Sequence, residues 1–238
     1  ADLLAARLEI IIRRILDPDD QCVVAGLQIR SDVKGEMRVA AGVPSDLDVV
    51  YNHTNGTGSG SIYDMTAPKY FYRMDAQGNY SNGSGCGNET ATNNEMVKKF
   101  VIDSLKHWME DYHINGFRFD LMGVMDVETM NMIRAELDKV DPRLTMWGEG
   151  WTGGTCTYPD TTCTGEKLYL ATQSNASKLN DRIAFFNDSI CDGIKGNSAD
   201  IYNKGFVQGD KTKALNVKYG VRANSTIDFN CRANAPSQ

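Results

Sequence analysis

Short apolar runs that end in polar residues alternate with amphipathic stripes through the middle of the chain. Four runs have the length and the β-branched or aromatic content of strands, at residues 47–51, 116–120, 144–149 and 182–187. Residues 96–112 and 127–137 place apolar side chains at helical spacing. This order predicts parallel strands, because parallel neighbours need a long crossover connection that is usually a helix.

Local signals predict where the elements begin and end. Thr92 and Glu95 have the spacing of a capping box ahead of the first helix. Asp126 can cap the second helix, and Pro142 follows it as a stop signal. Residues 55–92 are rich in Gly, Ser and Asn, and a connection of that length in a compact domain is usually functional.

The pattern divides the chain into three segments. Residues 1–46 are predicted to be mixed helix and loop and start with an amphipathic pattern, whereas residues 207–238 are polar and weakly patterned. Residues 47–206 carry the strand–helix alternation, which predicts an α/β fold. The parallel sheet could close as a barrel or stay open and doubly wound.

The composition and net charge limit the kinds of molecule that the chain is expected to bind. The 238 residues are 41% hydrophobic with a net charge of −6, which argues against nucleic acid or an anionic membrane and suits a neutral polysaccharide. No run of about 18 apolar residues occurs, so no membrane span is predicted.

The six cysteines lack CxxC spacing and histidines at ligand spacing, so we expect no zinc site. Cys156 and Cys163 could pair in an oxidising compartment. Free thiols in a cytoplasmic protein are the alternative that we favour, with secretion as the second option.

Polar residues follow three of the predicted strands: Asn52 and His53 after the first, Asp120 after the second and Glu149 after the third. Reactive groups of a βα barrel project from these carboxyl ends. Asp120 and Glu149 are 29 residues apart, one βα unit, which places them on neighbouring strand ends. A lone aspartate there is more often a cap or turn residue, but two carboxylates together are what glycoside hydrolysis needs.

Nearby residues support this interpretation. Arg118 lies two positions before Asp120, hence on the same side of the strand, where a cation favours an ionised carboxylate. Tyr51 and Trp151 are candidates for stacking on a sugar ring, although buried aromatic residues more often belong to the core.

The joint pattern resembles a known family. Residues 48–53 (DVVYNH), 116–120 (GFRFD) and 147–151 (WGEGW) are similar to three signatures of the α-amylase superfamily of glycoside hydrolases, in the same order. Residues 47–206 as a whole are similar to type I pullulanases and related glycogen-debranching enzymes. The resemblance implies a (β/α)8 TIM barrel, here a partial one with roughly the third to sixth strands.

The resemblance also implies roles. Asp120 would be the nucleophile and Glu149 the general acid/base of a retaining hydrolase acting on α-1,6-glucosidic links in pullulan, amylopectin or limit dextrins. His53 and Arg118 would contact the sugar in the cleavage subsite. Asp48 and Asn52 would support the site structurally. The resemblance implies that no organic cofactor is needed and that none of these residues binds a metal. Some family members carry structural calcium, so a calcium site elsewhere in this chain is compatible with the resemblance.

The sequence departs from the family at both ends. Residues 1–46 do not resemble the family's barrel, and no His-Asp pair of the fourth signature occurs in the chain. We therefore expect a monomer with little activity on its own. The alternatives are an α-1,4-acting amylase or branching enzyme, or an inactive fragment that only binds α-glucan.

Overall fold

The structure is a computed structural model that describes residues 46–197, residue 200 and residues 202–221. The amphipathic stretch predicted at the start of the chain and most of the terminal segments lie outside these residues. The chain divides after Phe185 into two compact units. The segment boundaries predicted at 46 and 206 remain predictions.

Four parallel strands form the sheet of the first unit. They are β1 (Asp46–Val49), β2 (Gly116–Phe119), β3 (Thr145–Gly148) and β4 (Ala184–Phe185). Their spatial order is the order of the sequence, with Asp48 beside Arg118 and Arg118 beside Trp147. A doubly wound sheet reverses its order at a switch point, so the unreversed order favours the barrel arrangement.

Five α-helices lie in the described part of the chain. They are α1 (Ile62–Thr66), α2 (Glu95–Tyr112), α3 (Val127–Leu137), α4 (Asp188–Lys195) and α5 (Ala214–Val221). Short 3-10 turns occupy Gly58–Gly60, Met122–Val124, Gln173–Lys178, Phe206–Gln208 and Lys211–Lys213. None of these described helices is long and apolar enough to cross a membrane.

Of the two predicted helix caps, the one on α3 is confirmed and the one on α2 is wrong. Asp126 caps α3 as predicted, accepting a hydrogen bond from the Thr129 amide at 2.8 Å. The capping box predicted at Thr92 is wrong, since α2 begins after Asn94. The Thr92 hydroxyl instead donates to the carboxylate of Asp126 at 2.7 Å, because the two helix starts lie side by side.

The sheet of the first unit has one apolar and one polar face. Because side chains alternate along a strand, Val49, Phe117 and Phe119 share one face and are at most 1% exposed. The predicted apolar stripes of α2 and α3 join them in a single core. The opposite face carries Asp48, Arg118 and other polar or half-exposed residues, and it leads to the candidate site.

The second unit is a small helical pair. The side-chain amide of Asn187 caps α4 and donates to the backbone oxygen of Gly220 in α5 at 3.1 Å. A β-carbon at Gly220 would lie 2.2 Å from Cβ of Ile190, so glycine permits the two helices to approach closely.

Candidate active site

The sheet's hydrogen bonding continues beyond the strands and fixes the residues that follow them. The amide of Asp120 donates to Val49 at 3.0 Å, and the amide of Glu149 donates to Phe119 at 3.1 Å. Both carboxylates therefore emerge from the carboxyl ends of adjacent parallel strands.

One guanidinium joins three carboxylates. Arg118 donates through Nη1 to Asp120 Oδ1 at 2.9 Å and to Asp48 Oδ1 at 2.7 Å, and through Nη2 to Glu149 Oε1 at 2.7 Å. Burial alone would lower the pKa of Arg118, but its bonds to Asp48 and Asp120 and the charge of Glu149 raise it above the ordinary value. Bridging by one guanidinium brings the carboxylates of Asp120 and Glu149 together at this edge of the sheet, as a pair of catalytic carboxyl groups requires.

The second oxygen of Glu149 is held by the backbone. The amide of Leu121 donates to Glu149 Oε2 at 2.9 Å, and the amide of Gly123 donates to the backbone oxygen of Glu149 at 2.9 Å. Leu121 has φ 39° and ψ 48°, a left-handed conformation that is unfavourable for a leucine. The sequence carries no sign of this contact, since nothing local marks a leucine for that conformation.

Asn52 and His53 lie where the sequence predicted, beside Asp120. Asn52 is fully buried, and its Oδ1 accepts from Nδ1 of His53 at 2.6 Å, which requires a proton on Nδ1. Burial lowers the pKa of His53, and the negative charge of Asp120 opposes that shift only in part. At neutral pH His53 is therefore an uncharged hydrogen-bonding group.

The long loop of residues 55–92 returns to this site and pins it. Asn88 exchanges two hydrogen bonds with the backbone of Thr54, at 2.8 and 3.0 Å. Thr90 donates from its amide to Asn52 at 2.9 Å and from its hydroxyl to the backbone oxygen of Tyr51 at 2.6 Å. The length of the loop predicted a functional role, but nothing in the sequence distinguishes Asn88 and Thr90 from the other polar residues of the loop.

The structure corrects the assignment of Tyr51. Its side chain packs in the core with 8% exposure, and its hydroxyl is hydrogen-bonded to Ser104 Oγ at 2.8 Å. Burial raises the pKa of Tyr51 to about 12. Because α2 covers this ring, it does not present a face to a sugar. Trp151 is partly exposed, and its role in stacking stays a prediction.

The described cysteines are free, and the described residues contain no candidate metal site. Within the described ranges, Cys86, Cys156, Cys163 and Cys191 are free thiols, so the optional Cys156–Cys163 disulfide does not form here. In the same residues no group of three or more His, Cys, Asp or Glu side chains could hold a metal ion.

An unreversed parallel sheet with two carboxylates on adjacent strand ends is the arrangement expected of βα-barrel glycoside hydrolases. Comparison with known proteins specifies the family. No protein-family model matches the chain. A curated pullulanase of Bacillus subtilis is 36% identical over 179 residues, covering 75% of this chain and 24% of the relative. Pullulanase 1 of Arabidopsis thaliana, a chloroplastic protein, is 35% identical over 179 residues, covering 68% and 17%.

Solved structures agree. The pullulanase of Paenibacillus barengoltzii in complex with maltohexaose and α-cyclodextrin has a TM-score of 0.72 and 38% identity, over 80% of this chain and 28% of that one. The pullulanase of Anoxybacillus sp. LM18-11 in complex with maltotriose has a TM-score of 0.69 and 40% identity, over 77% and 25%.

The chain is therefore homologous to a segment of the pullulanases. It spans about a quarter of the length of the Bacillus subtilis relative. The resemblance found in the signature segments and the expectation of a partial βα barrel are both confirmed.

Proposed function

We propose that this chain carries the nucleophile and the acid/base of a retaining hydrolase of α-1,6-glucosidic links, with Asp120 and Glu149 in those roles. The observation that carries the proposal is the binding of both carboxylates to the single guanidinium of Arg118 at adjacent strand ends. The names of the pullulanase relatives support the bond type. The structures of relatives with maltotriose and maltotetraose support an α-glucan oligosaccharide as ligand.

The chemistry is a double displacement. Asp120 attacks the anomeric carbon while Glu149 gives its proton to the leaving glycosidic oxygen, which forms a glycosyl-enzyme. Glu149 then removes a proton from water, and the attack of that water on the anomeric carbon releases Asp120. Both oxygens of Glu149 accept hydrogen bonds in this structure, so one of them must be freed before the residue can act as an acid.

The remaining expectations belong to the same proposal. His53 and Arg118 contact the sugar, Trp151 stacks on it, and Asp48 and Asn52 hold the other groups in place. The protein works as a cytoplasmic monomer without an organic cofactor. Hydrolysis measured with and without a chelator tests whether bound calcium contributes to activity. We expect slow turnover by the isolated chain, because the described residues supply four parallel strands and a complete barrel has eight.

Covalent trapping tests the function without requiring fast turnover. An α-maltotriosyl fluoride needs no proton donor for its leaving group, whereas release of the glycosyl-enzyme needs the base. We expect Glu149→Gln to accumulate an adduct on Asp120, detected by intact mass and peptide mapping, and Asp120→Asn to form none.

One control and two further measurements distinguish the proposed function from its alternatives. Circular dichroism must show that both variants are folded. Retention on an α-glucan affinity gel without any adduct would support the inactive binding fragment instead. Cleavage of linear amylose in preference to pullulan would support an α-1,4-acting enzyme.

A further inference from the structure

A fully buried arginine lies behind the candidate site. The Arg73 side chain is 1% exposed. It donates to Val124 O at 2.7 Å, to Thr92 Oγ1 and Asn93 Oδ1 at 3.0 Å each, and to Glu89 Oε1 at 3.4 Å. A rigid guanidinium with partners on several segments fixes those segments relative to one another.

Two buried carboxylates hold this arginine in place. Glu89 and Asp126 have fully buried side chains, and Asp126 Oδ2 lies 3.8 Å from Arg73 Nη2. A buried charge is costly unless it is paired. Turning Arg73 away would remove the cation that Glu89 and Asp126 share, so its position is strongly determined.

The contact with Val124 reaches the catalytic centre through one tight turn. Residues 120–124 run from the proposed nucleophile to Val124 and contain Leu121, whose left-handed backbone aims its amide at Glu149 Oε2. A strained conformation of this kind persists only where surrounding contacts enforce it. The bond from Arg73 to Val124 O supplies such a contact at the far end of the turn.

Glu89 is also connected by hydrogen bonds, through Gly83, to the segment that follows β3 and Glu149. Glu89 Oε2 accepts a hydrogen bond from the amide of Gly83 at 2.5 Å. The backbone oxygen of Gly83 in turn accepts from the amides of Gly153 and Gly154 at 3.0 and 2.9 Å. The segment that follows Glu149 is thus fastened to the same buried ion pair.

We propose that Arg73 is a positioning residue of the catalytic centre, holding the strained turn that places Asp120 and directs the Leu121 amide at Glu149. The proposal rests on the function proposed above for those two carboxylates. It assigns a role in the reaction to a residue of the long loop that touches neither carboxylate directly.

The decisive comparison is between two equally buried arginines. Arg73→Lys keeps the cation beside Glu89 and Asp126 but cannot reproduce the branched contacts. Arg134→Lys is the matched control, since Arg134 is also fully buried and donates to the backbone of Leu144, ahead of β3 and away from the strand ends that carry the site. The readout is hydrogen exchange of the Leu121 amide in isotopically labelled protein, followed by NMR.

We expect Arg73→Lys to speed exchange at Leu121 by about tenfold over wild type, and Arg134→Lys to leave it unchanged at matched global stability. Adding Leu121→Gly to Arg73→Lys should bring the exchange at residue 121 back toward the wild-type rate, because glycine adopts the left-handed conformation without strain. Equal effects of the two lysine substitutions at Leu121, or none from Arg73→Lys, would overturn the proposal.

Two provisions keep the test conclusive. If Arg73→Lys does not fold, Asn93→Ala removes only one acceptor of Arg73 and should speed exchange in the same direction by a smaller factor. Adduct formation with α-maltotriosyl fluoride is measured in parallel, with Arg73→Lys placed in the Glu149→Gln background. Faster exchange at Leu121 together with adduct formation as fast as in Glu149→Gln alone would refute the catalytic part of the proposal. Absence of any adduct in the otherwise unsubstituted Glu149→Gln protein would refute the proposed function instead.

Discussion

The side-chain amide of Asn52 donates hydrogen bonds to the backbone oxygen of Asp120 at 2.8 Å and to its carboxylate Oδ2 at 3.2 Å. A residue that follows β1 therefore fixes the proposed nucleophile that follows β2. Arg118 holds the other carboxylate oxygen. Between them, the two residues leave Asp120 little rotational freedom.

Asn52→Ala should slow the attack by Asp120. A nucleophile displaced by about 1 Å loses on the order of 100-fold in rate. We expect a decrease of that size in the rate of adduct formation with α-maltotriosyl fluoride, followed by intact mass in the Glu149→Gln background. Asn79→Ala is the control, because Asn79 holds Asp75 in an exposed turn. Equal rates in the two variants would show that Asn52 does not orient the nucleophile.

His53 should remain uncharged to a lower pH than an ordinary histidine. Burial lowers its pKa below 6.5, and the charge of Asp120 works in the opposite direction. Titration of the His53 ring followed by NMR should therefore give a midpoint below 6.5. In Asp120→Asn the midpoint should fall further, because the opposing charge is gone. A higher midpoint in that variant would contradict this account.

The same shift has a consequence for stability. Because the folded pKa of His53 lies below the unfolded value, the unfolded state binds more protons between the two. The contribution is fully present above about pH 6.5 and is lost as pH falls through the folded pKa. The difference in unfolding free energy between wild type and His53→Gln should therefore shrink on acidification, as measured by denaturant titration.

The sequence predicted those residues whose signal is local. Asp120 and Glu149 each end a short apolar run, one βα unit apart, and this spacing alone places them together at one edge of a parallel sheet. Asp126 precedes an amphipathic stripe and caps it as expected. In these cases strand alternation and helical periodicity determine the outcome.

The sequence failed where distant partners decide. Tyr51 packs in the apolar core, and Ser104, 53 residues away, satisfies its hydroxyl there. Thr92 does not cap α2. Its hydroxyl oxygen accepts from Arg73 Nη2, and its proton goes to Asp126, 34 residues away. Arg73 carries no local sign of its partner Val124, 51 residues further on. Such contacts exist only once the chain is folded, so no window of neighbouring residues contains them.

Cys156 should be the least reactive of the described thiols. Burial and the neighbouring charge of Glu89 raise its pKa to about 12, and the thiolate is the form that reacts. At pH 8 we expect iodoacetamide to modify the exposed Cys86, Cys163 and Cys191 at least about 100-fold faster. Peptide mapping during the reaction measures the four rates. Similar rates in the native protein, as expected only after denaturation, would contradict the burial of this thiol.

An ion pair between α2 and α3 should contribute strongly to stability. The Lys98 side chain is 4% exposed and that of Glu128 is 16% exposed. Glu128→Gln leaves a buried ammonium without its carboxylate, so we expect a loss of about 3 kcal/mol in unfolding free energy. Asp103→Asn breaks the exposed pair with Lys99 and should cost less than about 0.5 kcal/mol.

Acidification gives an independent check on the same pair. Burial alone would raise the pKa of Glu128, but hydrogen bonds from Lys98, Thr162 and Thr164 lower it from 4.5 to about 2. A carboxyl with a depressed folded pKa contributes stability that is present above its unfolded pKa and lost as pH falls through the folded one. The difference between wild type and Glu128→Gln should therefore be constant above about pH 5 and decline toward pH 2. A difference independent of pH across that range would show that the pair contributes through packing and not through charge.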